Sequence, residues 1–524
     1  MDGKQDFFIV KKGRKQMKRS AATVKNSIWS VASQVIVCVL SLFSRRVMIE
    51  TIGVEGVGLN AFLTSVITML SLAELGIGTA IVYHMYAPLA KGNNEKITQL
   101  MNFYKTVYRV IAGVIFLIGL VLLPFMPKIV NDTSYTNGYI YIIFMLFLIQ
   151  TCSSYLFTYK RSLLSADQKQ YIIVIYDLVY KISVIVLGIL VLKLTHELAY
   201  YLILLTAGTL TENILISKRV DTLYPYVNEK TLKLKKQECV DIAKDVKNIF
   251  IGKISNVITN STDSILINIF AGTVKTGLYS NYNIILGTLL SAINQLSSSM
   301  KASIGNLIAL ESKEHIERVF ERLVFMMFLI GSFCACCLTG LIDPFISIAF
   351  GKNLTLDRLT VYVCIANLYL TAAEIPAWTM VTSAGLFKYD KYIAILSTLI
   401  NLFVSFVLGK AIGMPGILIG TSCTFFTKLV LKTVLFYRTF LNAGMLKVFA
   451  KNFLYMAVTV LQCALISLVA RCIPEFNEYA RFVALAIVSA LIPVITSSAL
   501  FFKTDEFSYC LNLVKNYINH IKER

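Results

Sequence analysis

The sequence predicts an all-α polytopic membrane protein. About fourteen transmembrane helices are expected in two lobes, with a parallel internal repeat relating helices 1–6 to helices 7–12 and two extra helices at the C-terminal end. Four observations carry this reading. Of the 524 residues, 56% are apolar and only 15% charged, against about a quarter charged in a soluble protein. The apolar residues fall in continuous blocks of about 20, the length that crosses the ~30 Å hydrocarbon core. Continuous runs without in-out alternation exclude a β-barrel, so the spans are helices that satisfy their own backbone. Lysine and arginine concentrate in every other loop, and part of the first half recurs at an offset of 219 residues.

The expected spans cover residues 26–48, 57–87, 107–127, 138–159, 171–192, 197–217, 248–270, 277–305, 320–342, 359–384, 390–409, 412–431, 453–472 and 481–502. They organise the chain into a basic N-terminus (1–25), an N-lobe of helices 1–6 (26–217) and a basic linker (218–247). A C-lobe of helices 7–12 (248–437), helices 13–14 (438–502) and a C-terminal tail (503–524) follow. The dense basic clusters are Lys4–Lys25, Lys91–Arg109, Lys218–Lys247 and Lys503–Arg524, all on one side of this topology. That asymmetry assigns both termini to the cytoplasm of a multi-pass inner-membrane protein and supports an even span count. The net charge of +20 is therefore a topology signal, and no nucleic-acid partner is expected. The first apolar block lacks a small-x-small cleavage site and is expected to stay as helix one.

In the repeat, Gly53, Gly58 and Leu59 match Gly272, Gly277 and Leu278, while Ala90, Glu95 and Ile97 match Ala309, Glu314 and Ile316. Each copy starts a long helix after a glycine-bounded turn and ends in a charged segment. Six spans per copy start both copies on the same side, so the repeat axis lies along the membrane normal.

Four spans carry polar stripes at helical spacing. Helix one presents Asn26, Ser30, Ser33, Ser41 and Ser44, with Arg45 and Arg46 beside them. Helix two presents Asn60, Thr64, Ser71, Glu74 and Gly78. Helix seven places Lys253, Asn256, Asn260 and Asp263 on one face, and helix eight places Ser291, Asn294, Gln295, Ser298 and Lys301 on a broader one. These are the first pairs of the two copies. A central charge facing lipid costs about 2.5–3.5 kcal/mol, so turning the stripes to a shared aqueous cavity is the favourable solution. The competing reading is helix-to-helix hydrogen bonding, which serines and threonines make routinely, with Arg45 and Arg46 snorkelling at the membrane edge. Other intramembrane charges are Asp177 and Lys181, spaced to neutralise each other, and Glu374, which precedes Pro376 and Trp378.

Enzymatic motifs are missing. Gly76-Ile-Gly78 lacks the third glycine of a dinucleotide fingerprint and reads as close helix packing. There is no phosphate-binding GxxxxGK[ST] pattern and no catalytic set, and neither a metal site nor a cofactor is expected. The Cys334-Ala-Cys336-Cys337 cluster reads as small side chains packing in an apolar helix.

The stretch LAELGIGTAIVYHMYAPLAKGNNEKI, the following LMNFYKTVYRVIAG and the preceding GVEGVGLNAFLTSVITML resemble the Wzx-type bacterial polysaccharide flippases of the O-antigen, capsule and teichoic-acid type. These belong to the multidrug/oligosaccharidyl-lipid/polysaccharide exporter superfamily. The resemblance implies a non-enzymatic transporter that moves undecaprenyl-diphosphate-linked oligosaccharide from the inner to the outer leaflet by alternating access. A cationic cavity would attract the diphosphate, with Lys253 and Lys301 as anion contacts. Glu74, Asp263 and Glu374 are candidates for H⁺ or Na⁺ coupling, and glycan-assembly proteins and membrane lipid are the expected neighbours. Two alternatives stand beside it: an ion-coupled small-molecule exporter of the same superfamily, and a membrane polysaccharide polymerase or ligase.

Overall fold

The computed structural model describes residues 37, 39–74, 76–130, 132–229, 233–474 and 477–522, and every regular element among them is helical. Helix α1 covers Val39–Leu70. A tight turn of helix at Ser71–Glu74 follows, then α2 (Ile77–Lys91), α3 (Asn94–Leu122), the short α4 (Met126–Ile129), α5 (Asn137–Ala166), α6 (Gln170–Thr195) and α7 (Leu198–Leu223). The second half comprises α8 (Lys236–Ala271), α9 (Thr273–Leu310), α10 (Lys313–Phe350), α11 (Arg358–Ser383), α12 (Phe387–Ile412) and α13 (Met414–Phe436). Helices α14 (Leu446–Cys472), α15 (Glu478–Phe501) and α16 (Asp505–Lys522) complete the chain.

The described residues of each expected span are mainly helical. Eleven helices among the described residues are long and apolar enough to cross a membrane. The difference from fourteen has physical sources. The described part of the first expected span and the start of the second lie on one helix, α1, within which Gly53 takes φ +71°. Helices α8 and α9, two of those with polar stripes, are long enough but are not among the eleven. The expected continuous span 57–87 is interrupted, because Ser71–Glu74 tightens and Gly76 adopts φ +93°. Glycine has no Cβ to clash there, so the left-handed conformation is open to it.

The chain forms two compact units. One contains the described residues of Met1–Gly53 together with Ile77–Leu123 and Tyr141–Val246. The other contains Val54–Gly76, Pro124–Ile140 and the described residues of Lys247–Arg524.

The repeat extends beyond the residues that revealed it. Helices α3 and α10 begin at positions separated by the same 219 residues, and their capping residues match: Asn93 accepts from the backbone N–H of Lys96, and Ser312 from that of His315. Each satisfies one of the free N–H groups of a helix start. Within the second unit the two copies also meet. A Cβ on Gly58 would stand 2.0 Å from the Thr273 carbonyl oxygen, and one on Gly277 would stand 2.2 Å from that of Val54. The contact maps onto itself when the copies are exchanged, and only glycine at both places lets the backbones approach this closely.

The two added helices are fastened to the second copy by aromatic packing. Phe328 of α10 stacks on Tyr455 of α14 at 4.5 Å between ring centres, and Phe501 at the end of α15 closes edge-on against both. Pairs of this kind contribute about 0.5–1.5 kcal/mol beyond their buried area.

Candidate functional site

The second unit places Lys301 of α9, half-buried, 3.9 Å above the ring centre of Trp378 on α11. One turn earlier on α11, Glu374 receives the ammonium of Lys432 at 2.9 Å. Lys432 also reaches Asp390 at the start of α12, at 3.4 Å. Lys428, one turn before Lys432 on α13, is buried among the same charges. Two cations and two carboxylates thus form a neutral group spanning α11, α12 and α13. Lys301 lies outside that neutralisation: it makes no ion pair among the described residues, and its partner is an aromatic face.

Asp263 on α8 is deeply buried, 5% exposed. The Thr421 hydroxyl of α13 lies 2.8 and 3.0 Å from its two oxygens, and Asn401 of α12 donates its amide to Thr421 at 3.2 Å. The other amide atom of Asn401, Oδ1, has no partner. No ion pair to Asp263 is seen among the described residues, and a bare carboxylate in such a place is strongly unfavourable. The arrangement suits a protonated acid or a small bound cation.

The remaining stripe residues separate by burial. Asn60 and Glu74 are half-buried, and Asn294 and Gln295 are exposed on α9. Thr64 and Ser71 turn their hydroxyls back onto the carbonyls of Asn60 and Ile67. In the first unit, Arg45 is half-buried, and Arg46 pairs with Glu50 at 2.9 Å on an exposed face. Helix α8 carries Lys253, Asn256 and Asn260, whose side chains lie outside the described residues, as do Asn26, Ser30 and Ser33 altogether.

Asp177 corrects an expectation. Its carboxylate accepts from Arg161 of α5 at 2.9 Å, while Lys181 is exposed. Arg161 also meets the buried Glu212 of α7 at 2.7 Å. A cation on an adjacent helix reaches the acid more directly than one a turn away on the same helix. Glu374 likewise engages Lys432, and α11 continues through Pro376 without a break. His84 meets Asp245 of α8 at 2.9 Å.

Reading by stripes missed Arg161, Glu212, Asp390, Lys428 and Lys432. The i, i+4 pair Lys428 and Lys432 at the end of an expected span was the available signal.

No curated protein matches the sequence. Among solved structures, one described as the lipid II flippase MurJ in an inward closed conformation superposes with a TM-score of 0.64 at 14% identity, covering 90% of this chain and 99% of that one. An inward-facing multidrug resistance MATE family transporter of the MOP superfamily gives 0.62 at 12% identity, covering 77% of this chain and 94% of its own. The fold is therefore that of these two-lobed membrane transporters, as the resemblance to Wzx-type flippases implies. The family model for polysaccharide biosynthesis proteins matches residues 23–300, more than half of the sequence, and the chain belongs to that family.

Proposed function

We propose that this protein moves undecaprenyl-diphosphate-linked oligosaccharide from the inner to the outer leaflet of the bacterial cytoplasmic membrane, by alternating access, during synthesis of a surface polysaccharide. Family membership and the fold shared with a lipid II flippase support this reading. The observation that carries it is Lys301 resting on Trp378. An ammonium with no ion pair among the described residues can turn to a phosphate, and the indole it covers could then meet a sugar ring. The two side by side fit a molecule that joins a diphosphate to a saccharide. The neighbouring group of Glu374, Asp390, Lys428 and Lys432 balances its own charges and contributes shape rather than net charge.

Asp263, Thr421 and Asn401 would hold the coupling proton or sodium ion. The burial of Asp263 with no ion pair among the described residues supports coupling there. Both termini would lie in the cytoplasm, a reading that the loop charge bias supports, and the lipid tail would stay in the bilayer while the head crosses.

The test replaces Lys301 by Ala and by Arg, and Trp378 by Ala, in cells lacking the native copy, with protein abundance matched. Surface polysaccharide and lipid-linked intermediate on each leaflet are measured. Lys301→Ala is expected to lower export by about tenfold, the loss of one charged contact, with intermediate held on the inner leaflet, while Lys301→Arg restores it. Normal export by Lys301→Ala would remove the diphosphate role. Extrusion of small cationic dyes with unchanged polysaccharide would favour the multidrug exporter reading suggested by the MATE fold.

A further inference from the structure

A polar pocket lies in the first unit. It encloses about 650 Å³ and is lined by Lys91, Asn93, Lys96, Lys233, Lys235 and Glu238, with Pro88 among its apolar contacts. The volume falls in the usual range for a small-ligand site.

Local structure brings these residues together. Helix α2 ends at Lys91, Gly92 turns the chain with φ +64°, and Asn93 caps α3. The start of α8 is drawn against this turn by Lys96, whose ammonium meets Glu238 at 2.5 Å, and by His84, which meets Asp245 at 2.9 Å. The Lys96 ammonium beside Glu238, with a smaller contribution from the charge of Lys235, holds that carboxyl below the usual carboxylate range. Lys91, Lys233 and Lys235 are exposed and make no ion pair among the described residues. Four lysines against one carboxylate give the lining of this concave site a net charge of +3. A basic bias on one side of the membrane explains the number of lysines, but not their convergence from two separate segments on one pocket. Mutual repulsion disfavours such a group unless an anion occupies it.

We propose that this pocket binds a compact polyanion bearing two or more phosphate groups. Three lysines are point charges suited to phosphate oxygens, and the Asn93 side chain adds polarity. The ligand chemistry is shared by a soluble diphosphate and by the headgroup of an anionic bisphosphate lipid, which polybasic segments at a membrane surface attract. Its position also gives it leverage. The first turns of α8 belong to the first unit, and from Lys247 onward the same helix belongs to the second. A ligand that strengthens the seating of Glu238 and Asp245 acts on the segment connecting the two.

The experiment uses the full chain. Inorganic pyrophosphate and orthophosphate are titrated calorimetrically into the detergent-solubilised protein. In parallel, the protein in nanodiscs of cardiolipin plus phosphatidylcholine, or of phosphatidylcholine alone, is released and its retained lipid counted by native mass spectrometry. Both arms compare wild type, a triple Lys91→Gln/Lys233→Gln/Lys235→Gln variant and the corresponding triple arginine variant. These exposed substitutions leave the fold intact. The expected result is one anion per chain, weakened at least about tenfold by glutamine, retained with arginine and weakened by salt. Loss in the pyrophosphate arm identifies a soluble ligand, and loss of one retained cardiolipin identifies a lipid. If wild type and the glutamine variant behave alike in both arms, through equal binding or through none, the lysines are a solvated surface and the proposal fails. Neither arm reads transport, so that failure would leave the flippase reading where it stands.

Discussion

In the first repeat, Arg161 on α5 holds Asp177 of α6 at 2.9 Å and Glu212 of α7 at 2.7 Å. In the second, Lys432 on α13 holds Glu374 of α11 at 2.9 Å and Asp390 of α12 at 3.4 Å. Each repeat ties its fourth, fifth and sixth helices with one cation between two carboxylates. The cation sits on the fourth helix in one copy and on the sixth in the other. What the copies share is a three-helix tie, while the residues that make it are permuted. Their second helices differ more deeply. The first copy breaks at Gly76, φ +93°, where the chain passes between units, whereas the matching position on the uninterrupted α9 is Gln295. A common plan therefore leaves room for one copy to bend where the other stays straight.

The largest effect should come from breaking the ties unequally. Lys432 is 7% exposed and its acids 12% and 20%, while Arg161 is 23% exposed and Asp177 35%. Lys432→Met strands two shielded carboxylates and is expected to destabilise by about 3–5 kcal/mol. Arg161→Met, with one partner better hydrated, should destabilise by about 1–3 kcal/mol. Adding Glu374→Gln to Lys432→Met should recover most of the loss, because buried Lys428 and Asp390 then balance each other. Unfolding midpoints in detergent micelles give the order. Equal loss at Arg161 and Lys432 would mean that the two ties are shielded alike.

The glycine crossing should respond symmetrically. Alanine at Gly58 or at Gly277 sets a methyl carbon about 2 Å from a carbonyl oxygen of the other copy, well inside the ~3.5 Å at which such atoms are comfortable. Helices α1 and α9 must separate, and each substitution should cost about 2–3 kcal/mol. Because both act on one contact, the double variant should lose less than the sum. Size-exclusion profiles and midpoints of the three variants decide this. Tolerance at one glycine only would show that the crossing is not symmetric.

The helical class and the extent of the repeat were legible because they rest on long-range regularities. Apolar blocks, loop charge and a glycine turn survive without knowing any contact. Lys301 stood out in the sequence, since a lone lysine within a span has few inexpensive places to go. The break at Gly76 was not, because glycine in an apolar helix reads equally well as close packing. The ties were missed for a different reason. Stripe analysis looks for several polar residues on one helix, whereas Arg161, Glu212 and Asp390 act across helices and need no periodicity. Asp177 was assigned to Lys181 by spacing along one helix, and a neighbouring helix supplied the nearer cation.

The smallest effect sharpens the comparison most finely, at the matched caps. Asn93 accepts from the N–H of Lys96 at 2.9 Å, and Ser312 accepts from that of His315 at 3.4 Å. Both relieve a free donor at a helix start, but the longer bond is near the limit of a useful hydrogen bond. Asn93→Ala should cost about 1 kcal/mol and Ser312→Ala about half that. Global midpoints will barely resolve such values, so amide hydrogen exchange at Lys96 and His315 is the better probe. Loss of the cap exposes those N–H groups to water, and exchange should accelerate about fivefold at Lys96 and about twofold at His315. Such a ratio would show that one device, placed at the same point of both copies, works with unequal strength. Equal acceleration would make the caps equivalent despite their lengths, and the asymmetry of the repeats would then lie in the broken helix and the permuted charges alone.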